Sequence, residues 1–295
     1  MTTGKDGRIV KGIGGFYYVE TQDGVLYECR ARGIFRKDGK KPLVGDYVRI
    51  GIVDEEKKEG SVDELLPRRN ALIRPEAANV DVALLVFACA SPEPSLLLLD
   101  RFLVMLREQD VKCILIFNKD DLVSEERIRQ LEEIYRGAEA EVRCISAKAG
   151  GTEEIMESIR GKTALLAGPS GVGKSTILNT LCPQAQMETG EISKKLKRGK
   201  HTTRHAELFR VAEDSYLCDT PGFTALSLGD MPEEDIRHFY PEFVPYEGQC
   251  RFRECSHTHE PGCAVREAVE AGAIHPERHR AYVALYEEQK NRKKY

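Results

Sequence analysis

The chain has 295 residues, with 44 basic and 48 acidic side chains and a formal net charge of −4. Hydrophobic residues make up 41% and charged residues 31%, which is ordinary for a globular protein and argues against disorder. A prior of roughly 100–200 residues per domain predicts two or three domains. Because the net charge is small, only local basic stretches could indicate a nucleic-acid partner.

The N-terminal segment and the cysteines predict a cytoplasmic protein without a membrane partner. Residues 1–7 are polar, and the apolar runs at 82–90 and 96–99 are far shorter than the ~18 residues of a membrane span. The nine cysteines are an odd number, and several lie in apolar runs, as buried thiols do in a reducing compartment.

Residues 8–68 have an all-β pattern. Short apolar-rich runs separated by turn residues occur at Arg8–Glu20, Val25–Arg32, Asp46–Val53 and Ser61–Leu66. About five short strands in a segment of this length predict a small barrel. We expect residues 1–68 to form an OB-fold, with an SH3-like barrel as the alternative.

Beyond Pro67, buried strands alternate with helices. Strands are predicted at Asp81–Ala90, Val111–Phe117, Glu141–Ser146 and Thr163–Ala167. Helices are predicted at Leu96–Glu108, Glu125–Tyr135 and Thr152–Arg160. This alternation predicts an α/β domain with a largely parallel sheet over residues 69–228.

The pattern changes again near Gly229. Helical segments are predicted at Met231–Phe243, Ala264–Ala271 and Pro276–Lys290, with a cysteine- and histidine-containing loop at 250–263. We expect residues 229–295 to form a third, mostly helical domain.

A glycine-rich loop follows the strand Thr163–Ala167 and precedes a helical stretch. Its sequence fits G-x-x-x-x-G-K-[ST], the P-loop pattern, in which backbone N–H groups surround a phosphate chain. Lys174 would neutralise the β- and γ-phosphates, and the Ser175 hydroxyl would bind Mg²⁺. The predicted nucleotide-binding residues are Gly168, Pro169, Ser170, Gly171, Val172, Gly173, Lys174, Ser175 and Thr176.

Two further motifs predict that the base is guanine. The first is N-K-x-D, directly after the strand Val111–Phe117, and the second is S-A-K, at the end of the next strand. An aspartate in the first motif can accept hydrogen bonds from guanine N1–H and the 2-amino group, which adenine lacks. The predicted base-binding residues are Asn118, Lys119, Asp121, Ser146, Ala147 and Lys148.

The sequence Asp219-Thr-Pro-Gly222 fits D-x-x-G. Asp219 would hold Mg²⁺ through a water, and the Gly222 N–H would contact the γ-phosphate. In the preceding loop we favour Thr203 over Thr202 as a further Mg²⁺ ligand. Because the base-reading motifs precede the P-loop, the motif order is circularly permuted and predicts a permuted GTPase.

Phe223 occupies the position after D-x-x-G, where many small GTPases carry a glutamine that orients the attacking water. Phenylalanine cannot do so, which predicts slow hydrolysis by the chain alone. His201 in the threonine loop is the internal candidate for a catalytic residue, beside Thr203 and Lys174. The alternative is that His201 is a solvated loop residue.

Three cysteines and a histidine lie within fourteen residues, as Cys250, Cys255, His257 and Cys263. This ligand set suits one tetrahedral, structural Zn²⁺. His259 is the alternative histidine ligand.

Basic residues are concentrated in three runs, Arg36–Lys41, Lys194–Arg204 and Lys290–Lys294. A single run is often just a solvated face, but three runs in three predicted domains favour RNA binding.

Together these motifs resemble the RsgA family, also called YjeQ or YloQ, circularly permuted GTPases that help mature the small ribosomal subunit. The resemblance covers nearly the whole chain, from the barrel to Cys263 and the Ala264-Val265 that follows. It implies an OB-fold and a zinc domain flanking the GTPase, GTP hydrolysis to GDP, and a monomer. It also implies binding to the 30S subunit through 16S rRNA, with stimulation by that subunit.

Three other interpretations differ in function. A GTP-dependent switch with negligible turnover would share every nucleotide motif but show no stimulation by a ribosomal partner. A P-loop kinase would accept ATP and would not use Asn118–Asp121 to read a base. A protein-only scaffold would bind its partner without sensitivity to salt.

Overall fold

The computed structural model describes residues 4–33, 35, 41–73, 76–185, 206–219 and 227–292. These residues form two compact units. The first comprises the described parts of Met1–Val82, Glu153–Ala167 and Ser175–Gly222, and the second those of Ala83–Thr152, Gly168–Lys174 and Phe223–Tyr295. Each unit therefore joins segments that are distant in sequence.

The described residues contain thirteen strands and six α-helices. The first five strands are β1 (Gly4–Ile13), β2 (Phe16–Thr21), β3 (Leu26–Ala31), β4 (Tyr47–Asp54) and β5 (Glu59–Leu65). The next elements are β6 (Ala71–Ile73), β7 (Glu76–Ala78), β8 (Val82–Ala88), α1 (Leu96–Glu108), β9 (Lys112–Asn118), α2 (Glu125–Tyr135), β10 (Glu141–Ile145) and α3 (Thr152–Ile159). The last are β11 (Thr163–Ala167), α4 (Lys174–Leu181), β12 (Glu207–Ala212), β13 (Ser215–Asp219), α5 (Ala264–Glu270) and α6 (Pro276–Lys290).

Strands β1–β5 form a closed barrel in the first unit. The strand order is β1-β2-β3-β5-β4, and β4 pairs back to β1. Strands β3 and β5 are parallel, which gives the barrel the strand arrangement of an OB-fold and not of an SH3-like barrel. The predicted run Arg8–Glu20 is two strands, because Gly14 and Gly15 turn the chain with φ values of 61° and 86°.

The barrel is hydrogen-bonded to three further strands of the first unit, in the order β11-β13-β12-β1. Strands β1 and β12 are antiparallel, with Lys11 opposite Glu207 and 2.9 Å between ammonium and carboxylate. Strands β11 and β13 are parallel, and β11 is buried along its whole length, as expected for a strand covered on both faces.

Arg8 of β1 fixes this junction from inside the first unit. Its side chain is buried, and Nη2 donates to the Thr163 hydroxyl at 2.7 Å. The guanidinium lies 5.0 Å from the ring centre of Tyr47 in the barrel and 4.6 Å from that of Tyr216 in β13. Burial lowers the pKa of Arg8, and the two rings offset part of that cost through cation–π contacts.

The second unit contains strands β8, β9 and β10 with helices α1 and α2, and β9 and β10 are parallel. Strand β8 is buried at every position. The helices begin where expected: the Ser95 hydroxyl accepts from the Leu98 N–H and the Ser124 hydroxyl from the Arg127 N–H. No helix among the described residues is long and apolar enough to span a membrane.

The C-terminal region packs against α1 in the same unit, through α6 and a 3₁₀ segment at Glu233–Phe239. The predicted helix Met231–Phe243 is instead two 3₁₀ segments, the second at Pro241–Tyr246 with a proline at its start and another inside it. Stacked and edge-on rings of Tyr240, Phe243 and Tyr282 form its core.

A buried arginine joins this region to the helices of the second unit. Arg278 of α6 is 2% exposed, its guanidinium contacts the Asp100 carboxylate of α1, and its Nε donates to Glu242 at 2.6 Å. Its guanidinium carbon lies 5.3 Å and 4.6 Å from the ring centres of Tyr135 and Tyr240. Two buried carboxylates thus lie beside one cation, and for Glu242 burial outweighs the nearby positive charge and raises its pKa to about 7.

Candidate functional site

The glycine-rich loop has the local structure that the P-loop pattern predicts, since β11 ends at Ala167 and α4 begins at Lys174. Gly168 has φ 143°, and a Cβ there would lie 2.1 Å from the Val86 carbonyl oxygen. Gly173 has φ 102°, and a Cβ there would lie 2.1 Å from Asn118 Nδ2. Only glycine fits at these two positions, which lets the loop backbone pack directly against neighbouring strands and loops.

Asn118, at the end of β9, ties three loops of the second unit together. Its Nδ2 donates to the Val172 carbonyl at 2.8 Å, and its Oδ1 accepts from the Ala147 N–H at 3.0 Å. The Cys89 N–H donates to its backbone carbonyl at 2.7 Å. The side chain is 3% exposed, so these bonds satisfy a buried amide. The P-loop, the N-K-x-D loop and the S-A-K loop are therefore held in one arrangement.

Lys119 links the same loops from a left-handed backbone conformation, with φ 66°. Its ammonium donates to the Gly171 carbonyl at 2.8 Å and to the Ser91 carbonyl. Burial, assisted by the nearby Lys148 charge, lowers the pKa of Lys119. Asp121 lies exposed in a one-turn 3₁₀ segment that begins at Asp120.

The S-A-K loop begins with a buried serine. The Ser146 hydroxyl accepts from the Ala149 N–H at 3.3 Å, and Ala147 is also buried. Lys148 is exposed. The backbone N–H of Ala147 is already bound to Asn118, so its position is fixed by that side chain.

The Lys174 ammonium contacts its own loop, since Nζ donates to the Gly168 and Pro169 carbonyls at 2.8 and 2.6 Å. Ser175 and Thr176 are half-buried in the first turn of α4, and Asp219 is the last residue of β13.

Part of the predicted site lies outside the described residues. This applies to the threonine loop with His201, Thr202 and Thr203, and to Gly222 and Phe223 of the D-x-x-G region. It also applies to the basic run Lys194–Arg204 and to most of the run Arg36–Lys41.

The four predicted zinc ligands come together at one point. Their ligand atoms all lie within 4.8 Å of one another. Tetrahedral Zn²⁺ requires about 3.8 Å between two sulfurs and about 3.5 Å between sulfur and nitrogen, given its usual bond lengths. Cys250 Sγ lies 3.9 Å from Cys263 Sγ and 3.5 Å from His257 Nδ1, and His257 Nδ1 lies 3.3 Å from Cys263 Sγ. The donor set therefore fits this metal.

Burial determines the protonation state of the side chains in the cluster. Burial lowers the pKa of His257, which keeps the imidazole neutral, the form that ligates metals. Burial raises the pKa of Cys255 to about 12, so that thiol needs an adjacent cation to ionise at neutral pH. The alternative ligand His259 is not in the cluster and contacts the Thr258 hydroxyl at 2.8 Å.

The loop that carries His257 is shaped by Glu260. Its carboxylate accepts from the Ser256 N–H at 2.8 Å and from the Thr258 and His259 N–H groups at 3.2 Å. From α6, Tyr282 donates to the Ser256 carbonyl at 2.6 Å. These bonds hold His257 in a left-handed conformation, with φ 59°, that turns its ring toward the cysteines.

Comparison with known proteins identifies the family. The RsgA GTPase family matches residues 65–229, and the RsgA N-terminal domain matches residues 6–62. The small ribosomal subunit biogenesis GTPase RsgA of Agathobacter rectalis is 50% identical, with 98% of this chain and 99% of that protein covered. The chain belongs to the RsgA family of circularly permuted GTPases.

Solved structures of RsgA-family proteins have the same fold. YjeQ from Thermotoga maritima is 35% identical, with a TM-score of 0.82 over 99% of this chain and 100% of that chain. YloQ, a circularly permuted GTPase, is 37% identical, with a TM-score of 0.78 over 99% and 97%. The chain is therefore a GTP hydrolase. The alternative interpretation, a P-loop kinase that accepts ATP, is wrong.

Three features of this RsgA-family chain had no signal in the sequence. In the sequence, Arg278 resembles an arginine on a helix surface and Arg8 a charged residue on the outside of the barrel. Both are in fact buried. The Ser91 carbonyl, which accepts from Lys119, belongs to a segment without a recognisable motif. Backbone acceptors and non-local ion pairs leave no local pattern, so only the folded chain reveals them.

Proposed function

We propose that the chain is a cytoplasmic, monomeric GTPase that binds the small ribosomal subunit and acts in its late maturation. The observation that carries the proposal is full-length similarity: curated relatives named small ribosomal subunit biogenesis GTPase RsgA are 50% and 43% identical, each over 98% of this chain. Because 98% of the chain is covered, the matched region includes the barrel, the nucleotide loops and the cysteine cluster.

The proposal divides the chain into three functional parts. Residues 1–68 bind 16S rRNA through the barrel, residues 69–228 bind and hydrolyse GTP, and residues 229–295 form the zinc domain, which also contacts rRNA. The OB-fold supports the first assignment, because such barrels bind oligonucleotides on one face and in their loops.

In the proposed GTPase site, Asp121 reads guanine, and Asn118, Lys119 and Ser146–Lys148 hold the base-binding loops. The pre-formed bonds of Asn118 support this role, because a base would enter loops that are already ordered.

The phosphate end of the proposed site contains Lys174, Ser175 and Asp219. Mg²⁺ would be held by Ser175 and Thr203 and would neutralise charge on the β- and γ-phosphates. His201 completes the site for hydrolysis when the chain docks on the subunit, and Gly222 contacts the γ-phosphate. Lys174 leaves its two carbonyl partners to bind the transferred phosphoryl group.

The zinc domain is proposed to hold one structural Zn²⁺ per chain, on Cys250, Cys255, His257 and Cys263. The sulfur and nitrogen distances given above support it. All four positions are taken by side chains, so the metal would stabilise the loop and would not bind substrate.

GTP turnover with and without purified small subunits tests the proposal. We expect slow hydrolysis by the free chain and a large increase with small subunits, but not with large subunits at equal concentration. Lys174→Ala is the matched inactive control. A rate that small and large subunits raise equally, or not at all, would contradict the proposed partner.

Single-turnover kinetics on the subunit-bound chain test the two residues of the threonine loop. Thr203→Ala should slow hydrolysis with modest loss of GTP binding. His201→Ala should remove most of the stimulated rate and leave the basal rate nearly unchanged. Equal stimulated rates for His201→Ala and the unmodified chain would assign the missing group to the ribosome.

A further inference from the structure

A basic cavity opens beside the cysteine cluster, and Cys250, Cys255 and His257 of that cluster form part of its wall. Its volume is about 380 Å³, and it is open to solvent. Outside the cluster, three arginines and a histidine line the cavity together with one glutamate. The lining residues outside the cluster that carry charge or an aromatic ring are Arg237, His238, Glu247, Arg251, Phe252 and Arg253.

The charges of the cavity are largely available to a ligand. Arg251 and Arg253 are exposed, and neither forms an ion pair with another described residue. Arg237 donates to the Cys255 carbonyl at 3.3 Å, which directs its guanidinium to the cavity side of the cluster. Glu247 lies 3.7 Å from His238 and so offsets at most one of the cations. The cavity is therefore complementary to a phosphate or another anion.

Phe252 gives the cavity an aromatic surface. It is 46% exposed, whereas five of the nine phenylalanines that the structure describes are buried. It lies between two arginines in the sequence, and the Arg251 guanidinium is 5.6 Å from the centre of its ring. The Arg251 N–H donates to the Gly262 carbonyl at 2.9 Å, so the segment is tied to the loop that carries Cys263. A fixed, exposed ring beside arginines is a stacking surface for a nucleobase.

We propose that this cavity binds one unstacked nucleotide of a single-stranded RNA segment. The base stacks on Phe252, and the flanking phosphates bind Arg251, Arg253 and Arg237. The cavity volume of about 380 Å³ suits a single nucleotide, because small-molecule pockets begin at ~300 Å³. An RNA duplex is too wide to enter a cavity of this size. The inference rests on the proposed function, in which rRNA is the partner, and it names the site that reads an unpaired base.

The absence of tryptophan from the sequence allows a direct test on the full, zinc-loaded chain. Phe252→Trp places a single tryptophan in the cavity, and Val244→Trp places one at a 55% exposed position of the same region as a control. The probes are a uridine tetranucleotide, its abasic sugar-phosphate analogue, a blunt RNA duplex and a glutamate tetrapeptide. We expect saturable quenching of Phe252→Trp by the tetranucleotide alone and little change in Val244→Trp.

Substitutions on the unmodified chain provide the second arm, with binding of a fluorescent single-stranded RNA as the readout. Loss of one stacked base costs about five- to a hundredfold in affinity, and we expect that loss in Phe252→Ala and Phe252→Leu but not in Phe252→Trp. Arg253→Ala should weaken binding, whereas Arg280→Ala, with a 69% exposed side chain on α6, should not. Zinc content and basal GTP turnover should stay unchanged in all of them.

The outcomes separate the cavity from the wider proposal. Quenching by the abasic analogue or the glutamate peptide as strong as by the tetranucleotide would overturn base stacking and point to an anionic peptide or phosphate alone. A chain that binds small subunits, yet shows no dependence of RNA affinity on Phe252, would overturn the cavity assignment and leave the proposed function intact. A chain that binds no subunits would overturn the proposed function itself.

Discussion

Replacing Arg278 with methionine tests how the C-terminal region is fixed to the second unit. Arg278→Met keeps much of the stem volume but leaves the carboxylates of Asp100 and Glu242, 1% and 5% exposed, without their cation. Removing one member of a buried ion pair costs about 3–5 kcal/mol. At about 2–4 °C per kcal/mol for a unit of this size, the thermal midpoint should fall by about 6–20 °C. Arg280→Ala, 69% exposed on the same helix, should change it little.

Circular dichroism and limited proteolysis would measure this loss, and a triple variant identifies its cause. Arg278→Met combined with Asp100→Asn and Glu242→Gln leaves no unpaired buried charge. At least half of the free energy of unfolding that the single variant loses should therefore return. The penalty of Arg278→Met alone should also shrink at pH 5, where the carboxylates can take up protons. A single variant as stable as the unmodified chain, or a triple variant no better than the single one, would refute the charge argument.

Guanine recognition, metal retention and pH dependence provide three more tests. Asp121→Asn should weaken GTP binding and favour xanthosine triphosphate in a competition assay, whereas Asp120→Asn should not; unchanged GTP affinity would remove the base-reading role. Cys255→Ala should lose about one zinc per chain by elemental analysis while Cys113→Ala retains it, and full retention in the first would contradict the ligand assignment. Burial raises the pKa of Glu242 from 4.5 to about 7, so its contribution to stability is complete below about pH 4.5 and is lost as pH rises through 7. Glu242→Gln should flatten the curve of stability against pH between about pH 4.5 and 7. An unaltered slope would mean that another group causes the pH dependence.

Local patterns predicted the elements that carry chemistry. The helices at Leu96–Glu108 and Glu125–Tyr135 have the predicted bounds, because serine caps and apolar periodicity are short-range signals. The strand Thr163–Ala167 also has its predicted bounds, because a strand that is buried on both faces is a continuous run of hydrophobic residues in the sequence. The loops that carry the P-loop, N-K-x-D and S-A-K patterns each follow a strand, as their residue types and spacing predict, and their nucleotide-binding roles stay predictions.

Non-local features could not be predicted in the same way. The pairing of β1 with β12 joins residues almost 200 positions apart, and nothing in either strand specifies its partner. Strand β12 itself was missed, because Glu207–Ala212 is short and mixed in polarity. The 3₁₀ geometry at Pro241–Tyr246 depends on how Phe243 packs among Tyr240 and Tyr282, which no window of the sequence contains.

The pairing of β1 with β12 limits which fragments of the chain can fold on their own. A fragment that starts at residue 69 would remove β1, leave Glu207 without Lys11 and leave the Thr163 hydroxyl without Arg8. It would also uncover β12 as a sheet edge, and such edges recruit strands from other molecules. An excised GTPase fragment should therefore aggregate or lose solubility even though every nucleotide motif is intact. The barrel is thus a structural neighbour of strands β11–β13 as well as a separate fold, and its deletion would not isolate its contribution to the proposed RNA binding.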